Sequence, residues 1–220
     1  MATPPSTSTP PRELPIVGDH LALDFANTVD DPLGSARHDH LATYDDLVSW
    51  SVRVGIVDAS QAASLRRRAA RRPREAAAAL ARAHELRRAL NDVFGGVAEG
   101  AADVPDRWER LRPFVAAAYA EATLTYAEAG ARRWAWGSDS DFDGLVHPVA
   151  AEAAGLLVSG DLANVKRCAG CPWLFLDRSK NRSRRWCDMD DCGRAQKMAR
   201  YVARRAARRQ AAREAKRPGR

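Results

Sequence analysis

Four cysteines constrain this chain more than any other feature. They are its full complement, and they fall in two close pairs. Cys168-Ala169-Gly170-Cys171 is followed, after fifteen residues, by Cys187-Asp188-Met189-Asp190-Asp191-Cys192. Each pair can grip one metal ion, and Gly170 permits a tight knuckle turn between the first two sulfurs. Residues 1–12 hold no apolar core, and no later stretch approaches the ~20 apolar residues of a membrane span. The expectation is a cytoplasmic chain, and there such cysteine pairs favour metal over disulfides. Four thiolates at ~2.3 Å suit tetrahedral zinc and leave no open coordination position, which marks a structural rather than a catalytic site. The spacing does not match the ferredoxin runs of iron–sulfur proteins. One structural Zn2+ on Cys168, Cys171, Cys187 and Cys192 is therefore expected.

Between the pairs, Pro172-Trp173-Leu174-Phe175-Leu176 reads as a strand and 177–181 as a polar turn. Arg184-Arg185-Trp186 returns to the metal. This predicts a zinc-bound β-hairpin with Trp173, Phe175 and Trp186 as a miniature core, stabilised mainly by its metal. After Cys192 the composition is helical, and positions 194, 197, 201, 204, 205 and 208 share one side. Five of these are basic and the sixth is Tyr201. From Lys166 to Arg220 the chain carries 18 Lys and Arg against 5 Asp and Glu, a net +13, while the preceding residues carry −6. Such segregation points to a polyanionic partner, DNA first and RNA second. The candidate contacts are Lys180, Arg182, Arg184, Arg185, Arg194, Lys197, Arg200, Arg204, Arg205 and Arg208. The plainer alternative is a charged helix that only meets solvent.

The rest of the chain reads as mainly helical. Residues 1–15 are rich in Pro, Ser and Thr and read as a disordered leader. Residues 21–28 alternate for part of their length but also suit a helix start. Thr43 with Asp46, and Asp58, are placed to cap helices. Pro73 suits the first turn of a long helix carrying Leu80, Ala83, Leu86, Leu90 and Val93 on one stripe, with Gly95-Gly96 as its expected stop. A helix from Pro105 should bury Trp108, Leu111, Val115 and Tyr119. Segments 124–126 and 133–136 suggest two short strands joined through Gly130, and His147-Pro148 opens a helix to Val158. The fold class is thus mainly α (α+β): a helical N-terminal domain with a short β-hairpin, then a small zinc-bound hairpin-and-helix finger. The expected division is a leader over 1–15, a helical domain over 16–160, the finger over 161–207 and a basic tail over 208–220.

Catalysis is not expected. His38-Asp39-His40 lacks a third metal ligand, and no nucleophile–base pair follows from spacing. The acids from Asp139 to Asp143 lack the glutamate of a calcium loop, since position 150 is Ala. His20, Asp24, Asn27 and Thr28 could line a pocket for an effector, or serve local hydrogen bonding.

The segment CAGCPWLFLDRSKNRSRRWCDMDDCGRAQKMARY resembles the CGNR zinc finger family. The cysteine pairs, the Trp-Leu-Phe-Leu-Asp run, the Arg-Arg-Trp-Cys return and the Cys-Gly opening of the basic helix carry the likeness. The run from Gly18 to Thr28 is similar to the opening of the ABATE domain of stress-induced transcription regulators, which commonly precedes this finger. The resemblance implies a bacterial DNA-binding regulator with zinc on the four cysteines, its N-terminal domain serving dimerisation or ligand sensing. The alternative is a zinc-stabilised module binding RNA or protein. Where the family name spells Cys-Gly-Asn-Arg, this chain has Cys192-Gly193-Arg194-Ala195, so its arginine stands one position earlier.

Overall fold

A computed structural model of the chain describes residues 14–30, 38–126, 132–137 and 142–215, with backbone alone at 132–133 and 210–215. Nearly all of the leader, the loop at Gly130, the acids 139–141 and the last five residues of the tail lie outside these residues. The described elements are α1 (Leu21–Ala26), α2 (Tyr44–Arg53), α3 (Ala59–Arg71), α4 (Pro73–Glu99) and α5 (Val104–Ala120), then the hairpin β1 (Thr123–Tyr126) and β2 (Arg132–Ala135). They continue with α6 (His147–Leu157), β3 (Val165–Arg167), β4 (Leu174–Leu176) and α7 (Arg194–Ala215). The mainly helical class with two small antiparallel hairpins is as the sequence predicts.

Local chemistry explains where the helices begin. Thr43 and Asp46 form a reciprocal capping box at α2, and Asp58 and Gln61 form another at α3. Pro73 occupies the first turn of α4, where its missing N–H costs nothing. The open reading of residues 21–28 resolves as the short helix α1, with His20 Nδ1 accepting from the Ala22 N–H.

The long helix α4 is the axis of the molecule. It packs on α1, α2, α3, α5, β3 and β4. Ala83, Leu86, Leu90 and Val93 are buried on its stripe with Phe94, against Leu23 and Phe25 of α1, Leu47 and Trp50 of α2 and Leu111 of α5. The expected stop at Gly95-Gly96 is corrected. The helix continues to Glu99 and ends at Gly100, whose φ of 66° is the left-handed conformation glycine adopts without strain. Gly95 and Gly96 are contact points instead. A Cβ at Gly95 would fall on the Arg167 guanidinium, and one at Gly96 would lie 3.1 Å from the Val104 side chain. A single helical glycine costs only ~1 kcal/mol relative to alanine, so packing decides. In α5, Leu111 and Val115 are buried as expected, whereas Tyr119 is 44% exposed.

The second correction concerns the hairpin in the cysteine segment. β4 pairs with β3, in the register Val165↔Leu176 to Arg167↔Leu174, and not with the returning residues 184–186. All three residues of β4 are buried because they pack on α1 and α4. Trp173 and Phe175 therefore do not form a private core of the finger. Trp173 Nε1 donates to the Val29 carbonyl at 2.8 Å, and the Leu176 N–H donates to the Gly18 carbonyl at 2.8 Å. Asn27 holds the main chain of Leu174 at both ends. Its Oδ1 accepts from the Leu174 N–H at 2.9 Å and its Nδ2 donates to the Leu174 carbonyl at 2.8 Å. Arg167 reaches Glu99 at 2.9 Å. These bonds cross the boundary expected at residue 160. Among the described residues, no helix is long and apolar enough to cross a membrane.

Asn27→Ala leaves a buried N–H and a buried carbonyl of β4 without partners. We expect it to lower the stability of the whole chain by about 3 kcal/mol, measured by urea unfolding at constant zinc. A loss below about 0.5 kcal/mol would mean that β4 is held mainly by other contacts.

Candidate metal centre and nucleic-acid interface

The four cysteines converge although 23 residues lie between the first and the last. All four sulfurs lie within 4.8 Å of one another, with Cys171 Sγ 3.6 Å and Cys192 Sγ 3.9 Å from Cys187 Sγ. Sulfurs at ~2.3 Å from a central tetrahedral ion stand ~3.8 Å apart, so the donor set fits zinc. None of the four is in a disulfide. Cys168 Sγ accepts the backbone N–H groups of Gly170 and Cys187, both at 3.3 Å, as a thiolate does. A Cβ at Gly170 would lie 3.1 Å from the Cys192 Cβ, so the close approach of the two knuckles explains that glycine.

The ionisation of the cluster fits the same use. Hydrogen bonds from the Cys171 and Cys187 side chains hold Cys168 far below the ordinary thiol range. Sharing that bond pushes Cys171 up to about 12, and Cys187 is raised by the same contacts. Burial raises Cys192. Four thiols this close cannot all ionise unless a cation offsets their charge, and the chain binds one structural zinc here.

Asp177, which the sequence marks only as the start of a polar turn, organises the approach to the metal. It is fully buried directly after β4. Its Oδ2 accepts from Lys166 Nζ at 2.6 Å and from the Arg184 N–H at 2.9 Å, and its Oδ1 accepts from the Ser179 hydroxyl at 2.6 Å. Burial acts to raise this carboxyl, but those bonds outweigh it and hold the group well below the usual range. A lone carboxylate ending an apolar Trp-Leu-Phe-Leu run was the signal for this role.

The ten basic candidates divide by location. Lys180, Arg182 and Arg185 are exposed on the turn between the cysteine pairs. Arg184 is different. It donates to Asp19, to the carbonyls of Trp186 and Cys187, and lies over the Phe175 ring at 4.7 Å. Its charge is spent on fastening the metal loop to the N-terminal segment, which corrects its expected place on the outer face. Cys192 sits in a π-helical turn, Met189–Gly193, that leads directly into α7. Asp188 caps the turn by accepting from the Asp190 N–H at 2.6 Å. The metal therefore fixes the start of α7. Arg194, Lys197, Arg200, Arg204, Arg205 and Arg208 are all exposed along it. Arg194 pairs with Asp190 at 3.3 Å, both ends being open to solvent.

The structure commits the four candidate pocket residues to internal bonds. His20 caps α1, and Asn27 holds Leu174. Thr28 Oγ1 donates to the Phe25 carbonyl at 2.8 Å, and its own carbonyl accepts from Arg87, which also clamps Asp39. Asp24 accepts the Gly18 N–H at 2.7 Å. None of the four lines either of two described cavities. One, of ≈ 270 Å³, lies between α4, α5 and α6 beside Arg82, Glu85, Phe114 and His147. The other, of ≈ 680 Å³, is a groove beside Ile56, Gln61, Trp134, Trp136 and Glu152.

Two measurements check this geometry. Cys187→Ser, or a strong chelator under reducing conditions, should release the metal, free α7 from its anchor and cut thermal stability. Retention of shape without stoichiometric zinc by mass would contradict the role of the cluster. Burial raises Asp24 from 3.8 to about 6. The folded state therefore favours the proton, and this group's contribution is full below pH ~4 and lost as pH rises through ~6, a change of about 3 kcal/mol. Asp24→Asn keeps the acceptor for Gly18, so its melting temperature should gain on that of the parent chain between pH 4 and 7. A difference independent of pH would contradict the assignment.

Family models match both parts of the chain in the order seen in the structure. The model named ABATE, described as "Putative stress-induced transcription regulator", matches residues 19–160, and the CGNR zinc finger matches residues 164–205. A search of curated proteins finds no match. The first match ends just before β3 and the second takes in all four cysteines, β3, β4 and the first half of α7. With most of its length under the first model and its metal centre under the second, the chain belongs to the ABATE family and carries a C-terminal CGNR zinc finger.

Proposed function

We propose that this chain is a DNA-binding transcription regulator that meets duplex DNA with the basic side of α7, acting by binding and not by catalysis. The observation that carries the reading is the helix itself. It starts at a zinc ligand, and its cations from Lys197 to Arg209 are exposed, with no acidic partner among the described residues. Exposed cations on a rigid, anchored rod can neutralise successive phosphates without first giving up internal ion pairs. Arg194, Lys197, Arg204, Arg205 and Arg208 with Tyr201 form the contacting side, while Lys180, Arg182 and Arg185 on the metal loop extend it. The family match to a transcription regulator supports the same reading.

An input from the helical domain belongs to this proposal. The ≈ 270 Å³ cavity borders α4 at Arg82 and Glu85, and the same helix carries the finger at Gly95 and Glu99. A small molecule bound there would act on the helix that positions β3 and β4.

The test is binding of the full-length, zinc-loaded chain to duplex DNA across a salt series. Neutralisation of ~5 phosphates predicts a slope of log affinity on log salt of about −4.5, and Lys197→Ala or Arg204→Ala should each reduce it by about 0.9. Absence of binding near ~50 mM salt would count decisively against the proposal. Equal affinity for duplex DNA, RNA and an acidic polymer would favour the alternative of a zinc-stabilised, unspecific interaction module.

A further inference from the structure

The ≈ 270 Å³ cavity between α4, α5 and α6 contains a side chain that the fold leaves without a partner. His147 opens α6 and is only 8% exposed. Among the described residues, its imidazole makes no hydrogen bond and no ion pair. Native proteins rarely leave a buried polar group unpaired, because the lost hydration is then not replaced. The ring belongs to the cavity side of α6. Val146, His147 and Ala150 stand at three- and four-residue spacing, which places them on one side of the helix start, and all three line the space. The remaining walls are Phe114 and Ala117 of α5, with Arg82 and Glu85 of α4. The charges on these walls are already divided. Arg82 Nε donates to both carboxylate oxygens of Asp143, at 2.9 and 2.8 Å. Glu85 is exposed and has no ion pair among the described residues. The guanidinium is thus committed to an acid of the chain, and the free carboxylate repels any other anion.

We propose that this cavity binds a small, uncharged aromatic molecule carrying a hydroxyl group, a phenol, whose hydroxyl pairs with the free ring nitrogen of His147. Each property of the ligand follows from a wall. A hydroxyl both donates and accepts, so it satisfies the imidazole in either tautomer. Phe114, Val146, Ala117 and Ala150 offer apolar contact to a ring, and an aromatic ring packs favourably against Phe114. Water could serve the nitrogen, but it would leave those apolar walls wetted, whereas a hydroxylated ring meets both demands. The volume lies just below the ~300 to ~1,000 Å³ of sites for drug-sized ligands, which suits one ring rather than two. The offset of Arg82 by Asp143 and the free Glu85 select against a carboxylate on the ligand. This assignment rests on the reading of the cavity as the input site of the helical domain. It does not depend on α7 binding DNA.

The experiment is isothermal titration calorimetry of the full-length, zinc-loaded chain without nucleic acid. Its probes are p-cresol, toluene and p-toluate, which share a ring and a methyl group and differ only in the hydroxyl, its absence, or a carboxylate. We expect p-cresol to bind with a dissociation constant at or below ~1 mM, and the other two at least ~10-fold more weakly. His147→Phe keeps a ring of similar size and removes the polar nitrogen, so p-cresol and toluene should then bind alike. Ala117→Leu, at an exposed position on the wall, should keep the far-UV circular dichroism and zinc content of the parent and weaken p-cresol at least ~10-fold by filling the space. If His147→Phe does not fold, the parent's ranking of the probes and Ala117→Leu still decide. Three results would overturn the proposal: no binding of p-cresol at ~5 mM, toluene or p-toluate binding as tightly as p-cresol, or an affinity that Ala117→Leu leaves unchanged. Because no DNA is present, failure here is distinct from failure of α7 to bind it.

Discussion

Four sulfurs gathered within 4.8 Å set the terms for the C-terminal third of the chain. Thiolates repel at that distance, and thiols compete for each other's protons. One divalent cation removes the conflict. It also joins two stretches of chain that have little regular structure of their own, and it places the first turn of α7. Without that anchor, a helix with so many exposed cations would have no fixed direction relative to the rest of the molecule. Helices of this kind gain little from propensity alone and depend on what holds their ends.

The metal is not the finger's sole support. β4 leans on α1 and α4, and the Asn27 amide substitutes for a neighbouring strand by serving both the N–H and the C=O of Leu174. Arg184 fastens the second knuckle to Asp19, and Arg167 fastens β3 to Glu99 at the end of α4. The finger and the helical domain thus share buried surface and buried hydrogen bonds. Through these contacts α4 is joined directly to β3, and β3 leads on to the metal loop. The hairpin β1–β2 takes no part in these contacts.

The amino-acid sequence by itself determined the ligand set, the metal, the cationic helix, the capping of α2 and α3 and the mainly helical class. Each is a matter of spacing or local chemistry, and such signals survive without knowledge of neighbours. The tertiary structure alone decided the rest. Gly95 and Gly96 look like a helix stop, but contact with Arg167 and Val104 keeps the helix running. Trp173 and Phe175 look like a private core, yet they are spent on the body. Asp24 and Thr28 make the local hydrogen bonds that the sequence also allowed, but only the fold shows that Asn27 serves the main chain of a residue 147 positions away. Arg184 reads as one more surface cation, and only the fold shows Asp19 and the Phe175 ring beneath it. The physical reason is common to all four cases: a buried polar or apolar group is given its role by whichever distant segment packs over it, and one chain read in order contains no record of that segment.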